Sequence, residues 1–291
     1  MVQPQGIPEI FTRRDLFLER VKEKIWTAPC NFGESYSSLQ SSHEQKSPRL
    51  AAGVLMPLIF YEPPGSNLHP DGSFAILLVK RSSQVVQAGD LSFPGGMLNN
   101  IWDRFLRLPF TYGPLSLVND EARSFLVKQE KTTAKLITLF MTTAFRESWE
   151  EIRLSPFRTR FLGPLPTRSL AFFKRVIFPV VGFVKNPRHL QPNREAEKIV
   201  KIPLSSFYHQ DFLGCLQIEN SGQEEKTVQY PCLVHQDTDG QEEILWGATF
   251  YITLKFLEIV MDYHLPDWTN KRAIVKRLTS DYLSRRFESA P

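Results

Sequence analysis

Two stretches of sequence indicate the fold: Phe93-Pro94-Gly95-Gly96 and Arg146-Glu147-Ser148-Trp149-Glu150-Glu151. An apolar run, Phe74 to Lys80, lies before the first stretch and predicts a buried strand. A helical pattern from Thr142 through Arg153 carries the second stretch and stops near a proline. A strand, a glycine turn and an acidic helix in this order favour an α/β domain.

The acids of the second stretch predict a metal site. Glu147, Glu150 and Glu151 are spaced i, i+3 and i+4, so on a helix they share one face. Like charges so placed destabilise a helix by a few tenths of a kcal/mol per pair, and a hard divalent cation removes this cost. The alternative is a solvated acidic face beside Arg146 and Arg153.

The glycines of the first stretch predict a close approach of the backbone to a ligand or metal. Gly95 and Gly96 follow Pro94, and a residue without a Cβ allows such an approach. The alternative is a plain turn. Each stretch is weak evidence alone, and the two together are far more specific.

The surrounding sequence resembles one known family. Ala75-Ile76-Leu77-Leu78-Val79-Lys80-Arg81-Ser82 leads through Gly89 to the glycine pair, and further matching stretches follow in the right order. These stretches are Leu165-Pro166-Thr167-Arg168, Phe178-Pro179-Val180-Val181-Gly182-Phe183, Ile202-Pro203-Leu204 and Leu245-Trp246-Gly247-Ala248-Thr249. From about residue 50 to 260 the chain is similar to the coenzyme A diphosphatase branch of the Nudix hydrolase superfamily.

The resemblance implies a fold and a set of roles. The fold is an α/β/α sandwich around a central mixed β-sheet, to which we add a largely helical insertion and terminal helices. Glu150 and Glu151 match the metal-binding acids, and Gly96 matches the glycine whose backbone faces the metal, Mg²⁺ or Mn²⁺. Glu147 matches the acid that binds metal or handles the attacking water, and Arg146 matches the arginine that orients it.

The chain departs from the family pattern in several places. Gly96 and Arg146 are 146 − 96 = 50 residues apart, far more than in the family, so the two halves of the motif are interrupted by an insertion at about 98–138. Trp102 occupies the position of an expected acid, and Asp103 beside it is a candidate substitute. Arg153 stands where the family has a glycine after the glutamate pair.

Several other side chains are weaker candidates. We expect Arg81, Phe93, Gly95 and Arg168 to contact the substrate, and Glu195 to assist the attacking water as an outlying acid. The alternative for Glu195 is a solvated loop acid. Further cations, each with surface charge as its alternative, are Lys80, Lys174 and Arg175.

The pattern along the chain predicts three parts. They are residues 1–48 as an N-terminal helix (14–25) and a loose linker (31–48), 49–264 as the hydrolase domain, and 265–291 as a C-terminal helix. The insertion is too apolar for a disordered segment and is expected to pack as a helical element against the sandwich. Its apolar residues include Phe105, Leu106, Leu108, Phe110, Leu115, Leu117, Phe125, Leu126, Leu136, Ile137, Leu139 and Phe140.

Composition limits the partners. The net charge of +4 is too small to indicate nucleic-acid binding, and the longest apolar runs are too short to span a bilayer. The three cysteines form no CxxC motif, which favours a reducing compartment. We therefore expect an intracellular protein, cytoplasmic with an organelle not excluded, without a signal or transit peptide. Its expected partner is a small-molecule substrate, with neither nucleic acid nor a membrane as a partner. A homodimer is compatible with the sequence.

The predicted reaction is metal-dependent hydrolysis of the pyrophosphate bond of coenzyme A or acyl-CoA, which gives 3′,5′-ADP and (acyl-)4′-phosphopantetheine. One alternative is a Nudix hydrolase of another nucleoside diphosphate derivative, such as ADP-ribose or a dinucleotide. Another is a non-catalytic protein that binds coenzyme A or a nucleotide through a decayed site.

Overall fold

A computed structural model describes most of the chain. The described residues are 6–42, 50–61, 73–113, 115–170, 174–187, 189–220 and 228–278.

Within these residues the chain forms helices and strands in a mixed order. The α-helices are α1 (Arg14–Thr27), α2 (Phe32–Ser42), α3 (Trp102–Thr111), α4 (Asp120–Lys128), α5 (Lys131–Ile152) and α6 (Gly247–Met261). The strands are β1 (Leu50–Tyr61), β2 (Ser73–Arg81), β3 (Leu91–Ser92), β4 (Gly95–Met97), β5 (Thr159–Pro164), β6 (Arg168–Leu170), β7 (Arg175–Val184), β8 (Ala196–Pro203), β9 (Leu213–Asn220), β10 (Val228–Gln236), β11 (Glu242–Leu245) and β12 (Arg272–Leu278).

The strands form two sheets. The larger has eight strands in the order β3-β2-β1-β7-β5, with β4 on β1, β6 on β7 and β8 on β2. β1 pairs in parallel with β7 and antiparallel with β2, so this sheet is mixed, as predicted. The smaller sheet has the order β11-β10-β9-β12.

Helices cover both faces of the larger sheet. Side chains of β1 alternate between the faces: Leu55 packs with α5, α2 and α4, whereas Met56 packs with α1 and α6. Strand residues alternate in this way because successive side chains of a strand point to opposite faces. The result is the α/β/α sandwich that the resemblance implies.

The predicted linker is wrong over part of its length. Phe32–Ser42 forms α2, where a loose linker was expected, and the rest of that linker, residues 43–48, lies outside the described residues. Phe32, Tyr36 and Leu39 pack against the α5 side of the sheet, with Phe32 edge-to-face on Phe178 at 5.1 Å. Three apolar residues at helical spacing therefore outweigh the Ser- and Gln-rich composition.

The predicted C-terminal helix is also wrong. Residues 272–278 form β12, which pairs in parallel with β9, and residues 279–291 lie outside the described ones. Ile274 packs in the small core of the second sheet with Leu216 and Cys232. An available sheet edge decides between strand and helix for this short segment, and the local pattern does not contain that information.

The described residues of the predicted insertion are largely helical. They form α3, α4 and the first turns of α5, so the acidic helix begins at Lys131 rather than at Thr142. Phe125 and Leu126 are buried against the sandwich. Phe105, Leu108 and Leu115 are instead exposed, which contradicts the expectation that the apolar residues of the insertion pack.

Candidate active site

The last two turns of α5 carry the three glutamates. Glu147 is partly buried, Glu150 is exposed and Glu151 is buried. The carboxyl end of a helix is the negative end of its dipole, so three carboxylates here are unfavourable both toward one another and toward the helix. A bound cation would offset both the repulsion among the carboxylates and their repulsion by the negative end of the helix dipole.

The glycine turn lies against these carboxylates. A Cβ placed on Gly96 would stand 2.5 Å from Oε2 of Glu147, so only glycine allows the β4 backbone to approach this closely. The backbone N–H of Gly95 donates a hydrogen bond to Oε2 of Glu151 at 3.2 Å. The two stretches that the sequence singled out thus meet.

Arg146 is held at the centre of the site by Asp103. The carboxylate of Asp103 is wholly buried and accepts hydrogen bonds from Nε of Arg146 at 2.6 Å, from Thr143 at 2.8 Å and from the N–H of Asn99 at 2.8 Å. Nη2 of Arg146 lies 2.9 Å from Oε1 of Glu147. The predicted pairing of Arg146 with Glu147 is therefore present, and Asp103 occupies the role of an acid that fixes the arginine.

Burial changes the proton affinities of two of the glutamates. Desolvation raises the pKa of Glu151 to about 7, against the hydrogen bond from Gly95 and the charge of Arg81, and the charges of Glu195 and Glu147 raise it further. Desolvation also raises the pKa of Glu147, although Arg146 lowers it. The nearby hydrogen bond and positive charges therefore do not fully offset the cost of burying the ionised carboxylates.

The donor set fits a hard divalent cation. Carboxylate oxygens beside a backbone that a Cβ would displace are the oxygen ligands that Mg²⁺ and Mn²⁺ favour. In the part of the chain that the structure describes, the acids do not gather into a group of three or more around one point. Glu147 and Glu150 instead both contact Arg146, Glu150 at 3.1 Å.

Two of the weaker candidates lie beside Glu151. The charges of Arg81 and Glu195 both act on its carboxylate. The loop before β8 is tied to the end of α5, since the N–H of Asn193 donates to the carbonyl of Glu151 at 2.8 Å. The N–H of Ser82 in turn donates to the carbonyl of Glu195 at 2.8 Å. This places Arg81 and Glu195 at the same edge as the glutamates.

Arg175 is a further cation at this edge. Its Nε is buried and has no hydrogen-bond partner among the described residues. Burial lowers its pKa, and the charge of Arg81 lowers it further, so the two guanidinium groups are close enough to interact. An unpaired buried guanidinium nitrogen beside a second cation favours an anionic ligand.

Other predicted contacts lie elsewhere. Phe93 is buried in the core on the α6 side, so it packs instead of presenting a face to a ligand. Arg168 lies over the ring of Tyr251 on α6 at 4.5 Å, and its partner in the sheet register is Ile177, which also packs on the α6 side. Lys80 pairs with Glu243 at 3.0 Å. None of these described contacts is with the glutamates of α5.

Sequence reasoning did not identify Thr143 and Asn193. Thr143 lies three residues before Arg146, on the same face of the helix. Its hydroxyl therefore donates to Asp103, the same acid that Arg146 contacts, and the spacing could have indicated this. Asn193 gave no signal, because its role depends on where the loop before β8 meets the end of α5.

Comparison with known proteins gives one curated relative. An uncharacterized Nudix hydrolase, NudL, from Pectobacterium atrosepticum is 25% identical over 215 residues, which cover 73% of this chain and 81% of the relative. No family model matches the sequence.

Solved structures with similarity to this chain include Nudix proteins. The Nudix hydrolase RenU from M. smegmatis is 17% identical, with a TM-score of 0.32 over 54% of this chain and 73% of that chain. An Ap4A hydrolase from C. elegans is 13% identical, with a TM-score of 0.30 over 53% and 80%. The Nudix domain of NrtR from Shewanella oneidensis, in complex with ADP-ribose, is 14% identical, with a TM-score of 0.29 over 57% and 83%. The curated relative, taken with the residues of the site, supports the Nudix hydrolase superfamily for this chain.

Proposed function

We propose that this protein is a Nudix pyrophosphohydrolase that cuts the diphosphate of coenzyme A or acyl-CoA into 3′,5′-ADP and (acyl-)4′-phosphopantetheine. The observation that carries the proposal is the contact between the glycine turn and the acidic helix. Gly96 lies against the carboxylate of Glu147, and Gly95 donates to Glu151. The string from Ala75 to Gly96 supports the coenzyme A branch by resemblance.

The metal would be held by oxygens of this edge. Glu150, Glu151 and the backbone of Gly96 are the proposed ligands, with Glu147 as a further ligand or as the base. When bound there, Mg²⁺ or Mn²⁺ would neutralise diphosphate charge and lower the pKa of a water molecule. Arg81 and Arg175 are the proposed contacts of the diphosphate, because both are cations at the same edge.

Side chains of the site are proposed to activate the attacking water and to hold the base in place. Oε1 of Glu147 is paired with Arg146, so Oε2, which faces Gly96, is the atom that would accept a proton from the attacking water. The raised pKa of Glu147 suits that role. Arg146 fixes the direction of Glu147, and Asp103 fixes Arg146. Glu195 is the alternative base, since its charge acts on Glu151.

Turnover assays test the proposal. The purified protein with Mg²⁺ or Mn²⁺ is given coenzyme A, acyl-CoA, ADP-ribose and a dinucleotide, and products are identified by mass. We expect coenzyme A species to be cut and a chelator to abolish the reaction. If ADP-ribose is cut while coenzyme A stays intact, the branch is wrong, and if nothing is cut but coenzyme A binds, the non-catalytic alternative holds.

Two carboxylate substitutions test the site itself. We expect Glu150→Gln and Glu151→Gln each to lower the rate at least about a hundredfold, the scale of losing one electrostatic stabiliser. Glu258→Gln, an exposed glutamate on α6, is the matched control and should leave the rate unchanged. Near-normal rates in both test variants would contradict the assignment of these ligands.

A further inference from the structure

One face of α3 is apolar and exposed. The residues Ile101, Trp102, Phe105, Leu108 and Tyr112 are 78%, 59%, 69%, 54% and 60% exposed, and we call them the α3 stripe. Four of the five follow the spacing i, i+4, i+7 and i+11, which places them on one side of a helix. They therefore form a continuous surface.

The opposite face of α3 is packed against α5. Asp103 is wholly buried there and bonded to Thr143 and Arg146, and Arg107 donates to Thr138 at 3.4 Å. Since the later residue of α3 meets the earlier residue of α5, the two helices run antiparallel. The α3 stripe is thus directed away from the fold by contacts that fix the helix from behind.

The size of the stripe marks it as an interaction site. Taking roughly 200 Å² for an aromatic side chain, the stripe exposes on the order of 600 Å². The largest apolar patch on a typical monomer is about 300–600 Å², and such patches often mark an interaction site.

The charges around the stripe complement an anionic surface. Arg104 is exposed on α3 itself, and Lys131 and Lys135 are exposed on the half of α5 that runs beside the end of α3. The acid of α3, Asp103, is buried and paired with Arg146. Exposed acids also lie in this region: Glu130 precedes Lys131 in sequence and its carboxylate accepts from Thr132 and Thr133, and Glu34 follows Gly33, which lies against Thr133.

We propose that the α3 stripe docks the protein on the surface of an anionic lipid bilayer. An apolar face flanked by cations, with tryptophan and tyrosine among its members, is the pattern of a helix that lies in the interface plane. Among the described residues, no helix is long and apolar enough to cross a membrane. The expectation of no membrane partner rested on the lack of a spanning segment, and contact through one exposed face does not require such a segment.

Docking through α3 has a consequence for the site. The same helix carries Asp103, which holds Arg146. Arg146 in turn contacts Glu147, so the helix that would face the membrane also anchors a residue of the candidate site.

Vesicle binding tests the proposal. The full-length protein is floated with vesicles of phosphatidylcholine alone and of phosphatidylcholine mixed with phosphatidylserine, at low and high salt. We expect binding to the anionic vesicles that salt weakens. The triple variant Trp102→Ser/Phe105→Ser/Leu108→Ser should lose at least about tenfold in vesicle affinity, because these side chains supply the buried apolar area.

A matched variant controls for exposed apolar residues in general. Val127→Ser/Phe157→Ser removes two side chains that are 79% and 63% exposed on other elements, and it should bind vesicles as the unmodified protein does. Thermal melting confirms that each variant is folded. Absence of wild-type binding to anionic vesicles, or equal binding by the triple variant, would overturn the proposal. A dimer by light scattering that the triple variant converts to monomer would assign the stripe to a second copy of the chain instead.

Discussion

Replacing Asp103 with asparagine tests how the site is anchored. The Asp103 carboxylate is wholly buried and accepts from Arg146, from Thr143 and from the N–H of Asn99. Asn keeps the size but removes the charge and turns a donor toward a guanidinium. Removing one member of a buried ion pair costs about 3–5 kcal/mol, and we expect about 3 kcal/mol here, because Arg146 keeps its contacts with Glu147 and Glu150.

The destabilisation by Asp103→Asn is measured as the change in the free energy of unfolding in urea, with a chelator present. The control is Glu150→Gln, which removes a second carboxylate bound to Arg146 at 3.1 Å but on the exposed side. An exposed pair of this kind contributes about 0.5 kcal/mol or less. If Asp103→Asn costs less than about 1 kcal/mol, or no more than the control, Asp103 does not anchor Arg146 and the reasoning is refuted.

Three further changes have defined outcomes. Gly96→Ala should lower the rate of hydrolysis about a hundredfold, since the added Cβ must displace the Glu147 carboxylate by a sizeable fraction of an ångström. The control in the same assay is Gly33→Ala, whose added Cβ would lie 3.2 Å from the hydroxyl oxygen of Thr133. Arg153→Gly should raise the free energy of unfolding by about 0.5–1 kcal/mol, because Arg153 ends α5 in the left-handed region at φ 57°, which favours glycine. Arg153→Lys, measured in the same urea titration, should give no gain. In the metal-free protein, burial raises the pKa of Glu151 from 4.5 to about 7, so the folded state holds its proton more tightly and stability should decline as the pH rises between these values. Glu151→Gln should flatten that decline, and parallel pH profiles for the two proteins would contradict the assignment.

Patterns that depend on neighbours in sequence were predicted well. The strands β1, β2 and β7 are long apolar runs, and apolar runs of this length have few alternatives to a buried strand. The i, i+3, i+4 spacing of Glu147, Glu150 and Glu151 required only that residues 147–151 be helical, which they are. Segments decided by distant partners were predicted badly. Phe32–Ser42 is helical because Phe140 and Phe178 cover it, and Arg272–Leu278 is a strand because β9 offers it an edge.

The sequence alone determined the identity of the candidate ligands and the need for glycine beside them, because carboxylate spacing and the absence of a Cβ are local properties. Tertiary structure alone decided the partners of those residues. Asp103, not the residue at position 102, meets Arg146, because the register of α3 against α5 turns Trp102 outward and Asp103 inward. Arg81 and Arg175 lie at one edge because β2 and β7, which carry them, belong to one sheet, and Glu195 lies near Glu151 because it directly precedes β8 of that sheet. The pairing of strands distant in sequence is set by packing over the whole domain, and no window of sequence contains it.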